Sequence, residues 1–164
     1  MDLRTEMSYP GTSAADVVAL AHDPDFRAAV CLATHAVDYE VDVQVDEDGY
    51  TEVIVSRTLP AMVPAMVKHL VGETIEIVQT ESWAPEDGSG LYTADLTVHV
   101  VGQPATLRGS LIVDEDDDGA TQVVQGDIRV SMPFIGKKFE SELAKGIVAA
   151  ARREEAVAHE WLSS

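Results

Sequence analysis

Apolar residues recur along the chain with two different periods, and each period predicts one kind of element. Between Gly136 and Trp161 no proline occurs, and the apolar positions return every three, four or seven residues, which predicts one long amphipathic helix. The predicted apolar stripe of this helix contains Phe139, Leu143, Ile147, Ala150, Val157 and Trp161. A helix with one apolar face requires an apolar surface to pack against, so the preceding chain must supply that surface.

Most of the preceding chain alternates between apolar and polar residues, which predicts strands with one buried face. The clearest case runs from Val37 to Asp46, where valine and tyrosine alternate with acidic residues and glutamine. The Asp48-Gly49 pair that follows tolerates the positive φ of a tight hairpin turn. Similar alternation predicts further strands at residues 2–9, 50–59, 73–83, 92–100, 107–113 and 124–132.

Three segments interrupt this alternation. Residues 14–22 and 23–34 are predicted to form two short helices, because Ser13 and Asp23 offer side-chain caps to their first turns. Residues 60–72 form an apolar segment in which the phrase Pro-Ala-Met-Val occurs twice, and two prolines exclude the interior of a strand. We expect this segment to be a flap, with a short helix in its second half.

The predicted elements give an α+β fold in a single domain, residues 1–164. Their order is β-α-α-β-β-β-β-β-β-α, with about seven strands. Short connections favour antiparallel neighbours, so we expect a curved antiparallel sheet wrapped around the long C-terminal helix. Such a helix grip buries both apolar faces and tends to leave a cavity between sheet and helix.

Composition and charge narrow the classes of partner. The chain has 164 residues, of which 46% are hydrophobic, so it can form one domain with a substantial core. Its formal net charge is -18, because 29 acidic residues outnumber 11 basic ones. Binding to phosphate groups depends on lysine and arginine, so we expect no nucleic-acid partner.

The sequence also indicates the cellular compartment of the protein. No apolar run approaches the roughly 18 residues of a membrane-spanning helix, so we expect no stable membrane insertion. The first ten residues do not resemble a signal peptide. Cys31 is the single cysteine, which excludes an internal disulfide and agrees with a reducing compartment. The expected location is the cytoplasm.

The order of elements resembles that of the START-like (SRPBCC, helix-grip) superfamily, which includes lipid-transfer domains, birch-allergen-type plant proteins and polyketide cyclases. The apolar flap after the third strand and the Pro-Phe-Ile-Gly junction at 133–136 carry this resemblance. The chain is most similar to a bacterial family of uncharacterised START-like proteins, with shared phrases Arg-Thr-Leu-Pro at 57–60 and Ile-Gly-Lys-Lys-Phe-Glu at 135–140. The resemblance covers nearly the whole chain and implies an internal pocket for an apolar ligand. It implies no catalytic residue, because a fold alone does not fix a function.

The predicted ligand-binding residues lie on the inward faces of the strands, on the flap and on the helix stripe. They are Val55, Arg57, Leu59, Met62, Met66, Ile77, Glu81, Tyr92, Leu96, Ile128, Phe139, Leu143 and Ile147. The two methionines are included because thioethers adapt to varied apolar shapes. Alternatively, they only pack the flap onto the sheet.

Several polar residues fall on faces that are predicted to be buried. Arg57, Gln79 and Glu81 point inward from their strands, and Glu154 lies within the apolar stripe of the long helix. A buried charge needs a partner, and two interpretations follow. In one, Arg57 holds a carboxylate or hydroxyl group of a ligand. In the other, Arg57 pairs with Glu81 or Glu154, or a β-bulge turns it outward.

The remaining motifs predict no metal, no cofactor and no catalytic residue. Residues 114–119 begin like a calcium loop, but Gln125 stands where a bidentate glutamate is expected, which favours a solvated hairpin turn. The five histidines lack zinc-site spacing and are expected at the surface. Cys31 is expected to be a buried, inert thiol. Neither a glycine-rich phosphate loop nor a GxSxG motif occurs.

Three functions agree with these patterns. The first is a non-enzymatic binding or carrier protein for a small hydrophobic or amphipathic, lipid-like ligand. The second is a cyclase- or hydratase-type enzyme on the same fold, for which Glu81, Arg57 and Tyr92 are the candidate groups. The third is a protein-interaction module with a filled core, whose protein partner the sequence leaves open.

Overall fold

The computed structural model describes residues 1–61 and 64–164, except for the side chains of Met66 and Val67. The described residues form strands β1 (Asp2–Pro10), β2 (Asp38–Val45), β3 (Thr51–Pro60), β4 (Thr74–Trp83), β5 (Tyr92–Val100), β6 (Ala105–Asp116) and β7 (Gly119–Val130). The helices are α1 (Ala14–Ala21), α2 (Pro24–Ala33), α3 (Ala65–Val71) and α4 (Gly136–Ser163). The predicted order of strands and helices is confirmed, with α3 in the second half of the apolar segment.

The two short helices begin where their capping residues predict. The Ser13 Oγ accepts a hydrogen bond of 3.1 Å from the backbone N–H of Asp16, and the Asp23 Oδ1 accepts one of 2.9 Å from Asp25. These bonds satisfy backbone donors that have no partner within the first helical turn. Pro24 follows at the first position of α2, where its missing N–H costs nothing.

All strand pairs are antiparallel, and the sheet order is β1-β7-β6-β5-β4-β3-β2. Sequential strands from β2 to β7 are therefore neighbours, and β1 pairs with β7 at the edge of the sheet opposite β2. Gly109 and Gly126 lie directly opposite each other in the β6–β7 pair. A Cβ atom on Gly109 would lie 1.9 Å from the carbonyl oxygen of Gln125, so only glycine permits the close backbone approach in this curved sheet.

Helix α4 crosses the inner face of the sheet and packs against β1, β7 and α2. Its buried side chains include Phe139, Leu143, Ala151 and Ala158. Helix α1 covers β6 and β7, and α2 contacts β2. One continuous hydrophobic core results, which joins the sheet to all three of these helices.

Two predicted faces differ in part from the observed ones. The predicted second strand buries Val37, Tyr39 and Val45, but Val37, just before β2, and the other two side chains within it are 66%, 38% and 69% exposed. Strand β2 is the edge strand farthest from β1 and β7, on which α4 packs, so its apolar face has less to pack against. Only Val41 and Val43 pack partly against the core.

In the second half of α4 the fully buried positions are Ala151 and Ala158, whereas Ala150 of the predicted stripe lines the cavity and Val157 is only partly buried against the core. Trp161, at the predicted end of the stripe, is 37% exposed. Its ring still meets the edge of Phe26, with 5.6 Å between the ring centroids.

Candidate functional site

A cavity of about 600 Å³ lies between α4 and the inner face of the sheet. The helix packs on β1 and β7, at one side of the sheet, and β3, β4 and β5 contribute walls on the other side. Opposite these strands, α4 presents Gly146, Ala149 and Ala150. These short side chains cannot span the gap between helix and sheet, so the gap stays open.

Most of the cavity wall is aliphatic or aromatic. The apolar lining consists of Met7, Leu59, Ile75, Ile77, Leu96, Val98, Val100, Leu107, Leu111, Val124, Phe139, Leu143 and Ile147. The wall is built by strand alternation, since every second side chain of β3 to β7 faces inward. Its volume falls within the range of about 300–1,000 Å³ that is typical of small-molecule sites.

The cavity communicates with solvent. Its lining includes the exposed residues His35, Pro60, Gly146, Ala149 and Arg153. They belong to the connection after α2, the end of β3 and the middle of α4. A molecule from solution can therefore reach the apolar wall through the opening between these elements.

The predicted site residues are distributed over three environments. The cavity is lined by Arg57, Leu59, Ile77, Glu81, Leu96, Phe139, Leu143 and Ile147. Val55 and Ile128 are fully buried in the core, and Tyr92 is half-buried against the core rather than on the cavity wall. Met62 lies outside the described residues, and the side chain of Met66 is not described.

A chain of polar side chains crosses the wall from α2 to β3. The Arg27 guanidinium forms an ion pair with the Glu81 carboxylate, and both side chains are almost completely buried. The indole N–H of Trp83 donates to Glu81 Oε2 over 2.9 Å, and Gln79 Nε2 donates to Glu81 Oε1 over 2.7 Å. Arg57 Nη2 then donates to Gln79 Oε1 over 3.2 Å. Glu81 thus has protein donors on both of its oxygens.

Strand register explains why Arg57 and Gln79 meet. In the β3–β4 pair Arg57 lies opposite Ile77 and Val55 lies opposite Gln79, so Arg57 and Gln79 are diagonal neighbours on one face. The other Arg57 contact comes from Thr34, which follows α2 and accepts from Nη1 over 3.3 Å. The Nε of Arg57 is buried and has no hydrogen-bond partner among the described residues.

The structural interpretation of Arg57 as the ion-pair partner of Glu81 or Glu154 is wrong. Glu81 pairs with Arg27, and Glu154 Oε2 lies 4.0 Å from Nη1 of the same arginine. Within the described residues, Arg57 takes part in no ion pair, and both of its hydrogen-bond partners are uncharged. A bulge does not turn it outward either, because it is 7% exposed and lines the cavity.

Arg27 belongs to this network but is absent from the predicted site. The sequence does indicate that Arg27 is buried, because it precedes Val30 and Cys31 by three and four residues and so shares the apolar face of α2. The Arg27 Nε also donates to the carbonyl of Ala21 over 2.8 Å, at the end of α1. Its partner Glu81 is 54 residues away along the chain. No local pattern can pair residues so far apart.

Burial changes the acid–base properties of groups near the cavity. It raises the pKa of Glu154, and the nearby Arg27 guanidinium partly opposes this rise. It also raises the pKa of the buried Cys31 thiol, which favours the protonated, unreactive form. His22 is not a surface residue as predicted: its ring packs edge-on against Trp83, and burial followed by the Arg27 charge lowers its pKa.

Two negative findings apply to the described part of the chain. No three histidine, cysteine, aspartate or glutamate side chains there are grouped closely enough to hold a metal ion. Among the helices of residues 1–61 and 64–164, none combines the length and apolar character that crossing a membrane requires.

Comparison with known proteins gives relatives without an assigned activity. The chain is 24% identical over 121 residues to the uncharacterized proteins Mb0491c of Mycobacterium bovis and Rv0481c of Mycobacterium tuberculosis. Each alignment covers 72% of this chain and 69% of the relative. Among solved structures, TTHA0849 from Thermus thermophilus matches with a TM-score of 0.63 and 14% identity, over 96% of both chains, which indicates a shared fold. A family model described as "Protein of unknown function (DUF2505)" matches residues 4–162, and the chain therefore belongs to the DUF2505 family.

Proposed function

We propose that this protein binds a small hydrophobic or amphipathic, lipid-like molecule in the cavity between α4 and the sheet, as a binding or carrier protein. The observation that carries the proposal is the solvent-connected cavity of about 600 Å³, whose wall is mainly aliphatic. An apolar wall in contact with water is costly, at about 25 cal/mol for each Å². An apolar ligand that covers this wall gains the same free energy.

The similarity of the element order to START-like proteins supports this proposal, because those folds carry internal apolar pockets. We place the protein in the cytoplasm as part of the proposal, since its single cysteine is a buried free thiol. Entry of the ligand through movement of residues 60–72 remains a prediction, since residues 62 and 63 lie outside the described part of the chain.

The alternative of a cyclase- or hydratase-type enzyme has less support. Both oxygens of Glu81 already accept hydrogen bonds from protein donors, so it is poorly placed to accept a proton from a substrate. Tyr92 is not on the cavity wall. The interaction-module alternative assumes a filled core, and the cavity of about 600 Å³ gives it less support.

Native mass spectrometry of the purified protein tests the binding proposal, with a variant that blocks the cavity. A Cβ atom on Gly146 would meet nothing within 4 Å, so Gly146→Phe can place a large ring in the opening without a backbone clash. Ala156→Phe is the matched control, because Ala156 is exposed on the same helix and does not line the cavity.

We expect the native protein and Ala156→Phe to carry a co-purified apolar molecule, or to take up added dodecanol or dodecanoate. Gly146→Phe should lose at least about 90% of this binding while its circular dichroism is unchanged, since steric exclusion leaves little residual affinity. Absence of any bound or bindable apolar molecule in the native protein would refute the proposal.

A further inference from the structure

We propose that the ligand is a monocarboxylate with an apolar tail, and that its carboxylate binds the Arg57 guanidinium inside the cavity. This inference rests on the proposed function, because it assigns the ligand class of the same cavity. The observation that carries it is a buried cation on an apolar wall that forms no ion pair with the described residues.

The two buried arginines differ in how their charges are balanced. Arg27 is 2% exposed and is paired with Glu81, so the protein itself supplies its counter-ion. Arg57 is 7% exposed and, within the described residues, donates only to the uncharged oxygens of Thr34 and Gln79. A buried charge without a partner is strongly unfavourable, and a ligand anion in the cavity would relieve that cost.

The guanidinium retains donors for such a ligand. Nη1 and Nη2 each carry two N–H groups, and each uses one of them in a bond to the described protein. One N–H on each nitrogen is therefore available. Two adjacent N–H groups of a planar guanidinium match the two oxygens of a carboxylate, and such bidentate pairs are among the strongest hydrogen-bonded contacts in proteins.

The surrounding charges favour a singly charged anion. Glu142 and Glu154 also line the cavity, so a second negative charge on the ligand would meet carboxyl groups. A phosphate monoester carries about 1.5 to 2 negative charges at neutral pH, whereas a carboxylate carries one. Burial raises the pKa of Glu154 and the charges of Arg27 and Arg57 oppose this rise, but Glu154 forms no ion pair with Arg57.

The apolar tail has a continuous surface beyond Arg57. Ile77 lies opposite Arg57 in the β3–β4 pair, and the wall continues through Leu96 and Leu107 on β5 and β6. Phe139 and Leu143 of α4 form the facing wall. A flexible alkyl chain can therefore lie along the inner sheet under α4 while its carboxylate stays at Arg57.

Isothermal titration calorimetry with three probes of equal chain length tests this assignment on the delipidated protein. The probes are dodecanoate, dodecanol and dodecyl phosphate, at neutral pH and below their aggregation limits. Dodecanol is the most hydrophobic of the three, so burial of the tail alone predicts that it binds most tightly. A carboxylate anchor predicts that dodecanoate binds at least about tenfold more tightly than dodecanol, the usual contribution of a hydrogen-bonded charge pair.

Three arginine variants locate the anchor. Arg57→Gln should reduce dodecanoate affinity about tenfold to a hundredfold and abolish the preference over dodecanol. Arg153→Gln removes the exposed cation at the cavity opening, and Arg108→Gln removes an exposed cation on the outer face of β6. Both change the net charge equally. Arg108→Gln, outside the cavity, should change neither the affinities nor the preference for dodecanoate, whereas Arg153→Gln, at a residue that lines the opening, should keep the preference even where it weakens all three probes equally.

The outcomes distinguish failure of the carboxylate anchor from failure of ligand binding in the cavity. Equal binding of dodecanoate and dodecanol, tighter binding of dodecyl phosphate, or loss of the preference in Arg153→Gln would overturn the carboxylate anchor and leave the binding proposal standing. Failure of all three probes to bind would overturn both. If Arg57→Gln does not fold, Arg57→Lys gives the result instead: it keeps the charge without the planar fork, and an unchanged preference would count against bidentate recognition.

Discussion

Arg27 and Arg57 show how two buried residues of the same type can serve different purposes. Arg27 joins α1, α2 and β4, since it donates to Ala21 and pairs with Glu81. Arg57 forms no ion pair within the described residues, and its guanidinium borders the cavity. The first arginine is therefore suited to hold elements together, and the second is suited to meet a ligand.

Removal of the Glu81 charge tests the structural role of Arg27. Glu81→Gln keeps the shape of the side chain but leaves the Arg27 guanidinium buried without a counter-ion. We expect a loss of about 3–5 kcal/mol in the free energy of unfolding, the usual cost of breaking a buried ion pair. Urea titration followed by circular dichroism measures this loss. Glu52→Gln, at an exposed position of β3, is the control and should change stability by less than about 0.5 kcal/mol.

His22 makes the stability of the protein depend on pH. Burial, reinforced by the Arg27 charge and opposed by Glu81, lowers its pKa below the ordinary value of 6.5. The Nε2 of His22 is buried and has no hydrogen-bond partner among the described residues, so a proton there would find no acceptor. Its stabilising contribution is therefore complete above the unfolded-state pKa and is lost as the pH falls through the lower folded-state pKa.

We expect the melting temperature of the native protein to fall more steeply between about pH 7 and pH 5 than that of His22→Gln. Differential scanning fluorimetry across this range measures the two slopes. His99→Gln provides the control, because His99 is exposed on β5. Identical slopes for the native protein and His22→Gln would show that His22 does not contribute to this pH dependence.

At the scale of elements, the glycines of the sheet and the glycine of α4 have opposite surroundings. The β6–β7 pair brings its backbones so close at Gly109 and Gly126 that neither position has room for a Cβ atom. Helix α4 instead places Gly146 where a Cβ atom would meet nothing within 4 Å. The sheet glycines are required by close packing, whereas the helix glycine borders an opening.

Gly109→Ala tests the requirement for glycine in the sheet. The new methyl group would collide with the backbone of β7, which cannot move as a flexible side chain can. We expect a destabilisation of about 2 kcal/mol or more, as for overpacked sites, measured by urea unfolding. The matched variant Gly146→Ala should instead stabilise the protein, by up to about 1 kcal/mol, because alanine favours the helix. Equal effects of the two substitutions would contradict the structural distinction.

At the scale of the whole molecule, the order of elements follows from the sequence because its causes are local. Alternation identifies the strands, spacings of three and four identify the helices, and the connections are short enough to favour antiparallel neighbours. The position of a strand within the sheet is not local. Tyr39 and Val45 have the pattern of a buried strand, yet β2 is an edge strand and leaves them exposed.

The candidate site was predictable only in part for the same reason. The inward faces of β3 and β4 place Arg57, Gln79 and Glu81 on one wall, as their alternation indicates. The partner of each charge depends on where α2 lies against the sheet. The Glu81 carboxylate, a predicted partner of Arg57, instead pairs with Arg27, which lies 54 residues before Glu81 in the chain. The distribution of charge within the cavity therefore becomes visible only in three dimensions.

The small residues on the cavity side of α4 bear on how such a protein can diverge. Gly146, Ala149 and Ala150 line the cavity on the side of α4, but they take no part in the strand pairing. Larger side chains at these three positions would narrow the cavity and leave the register of the sheet as it is. The size of the ligand that the cavity accepts can thus change through single substitutions in α4, while the rest of the fold stays the same.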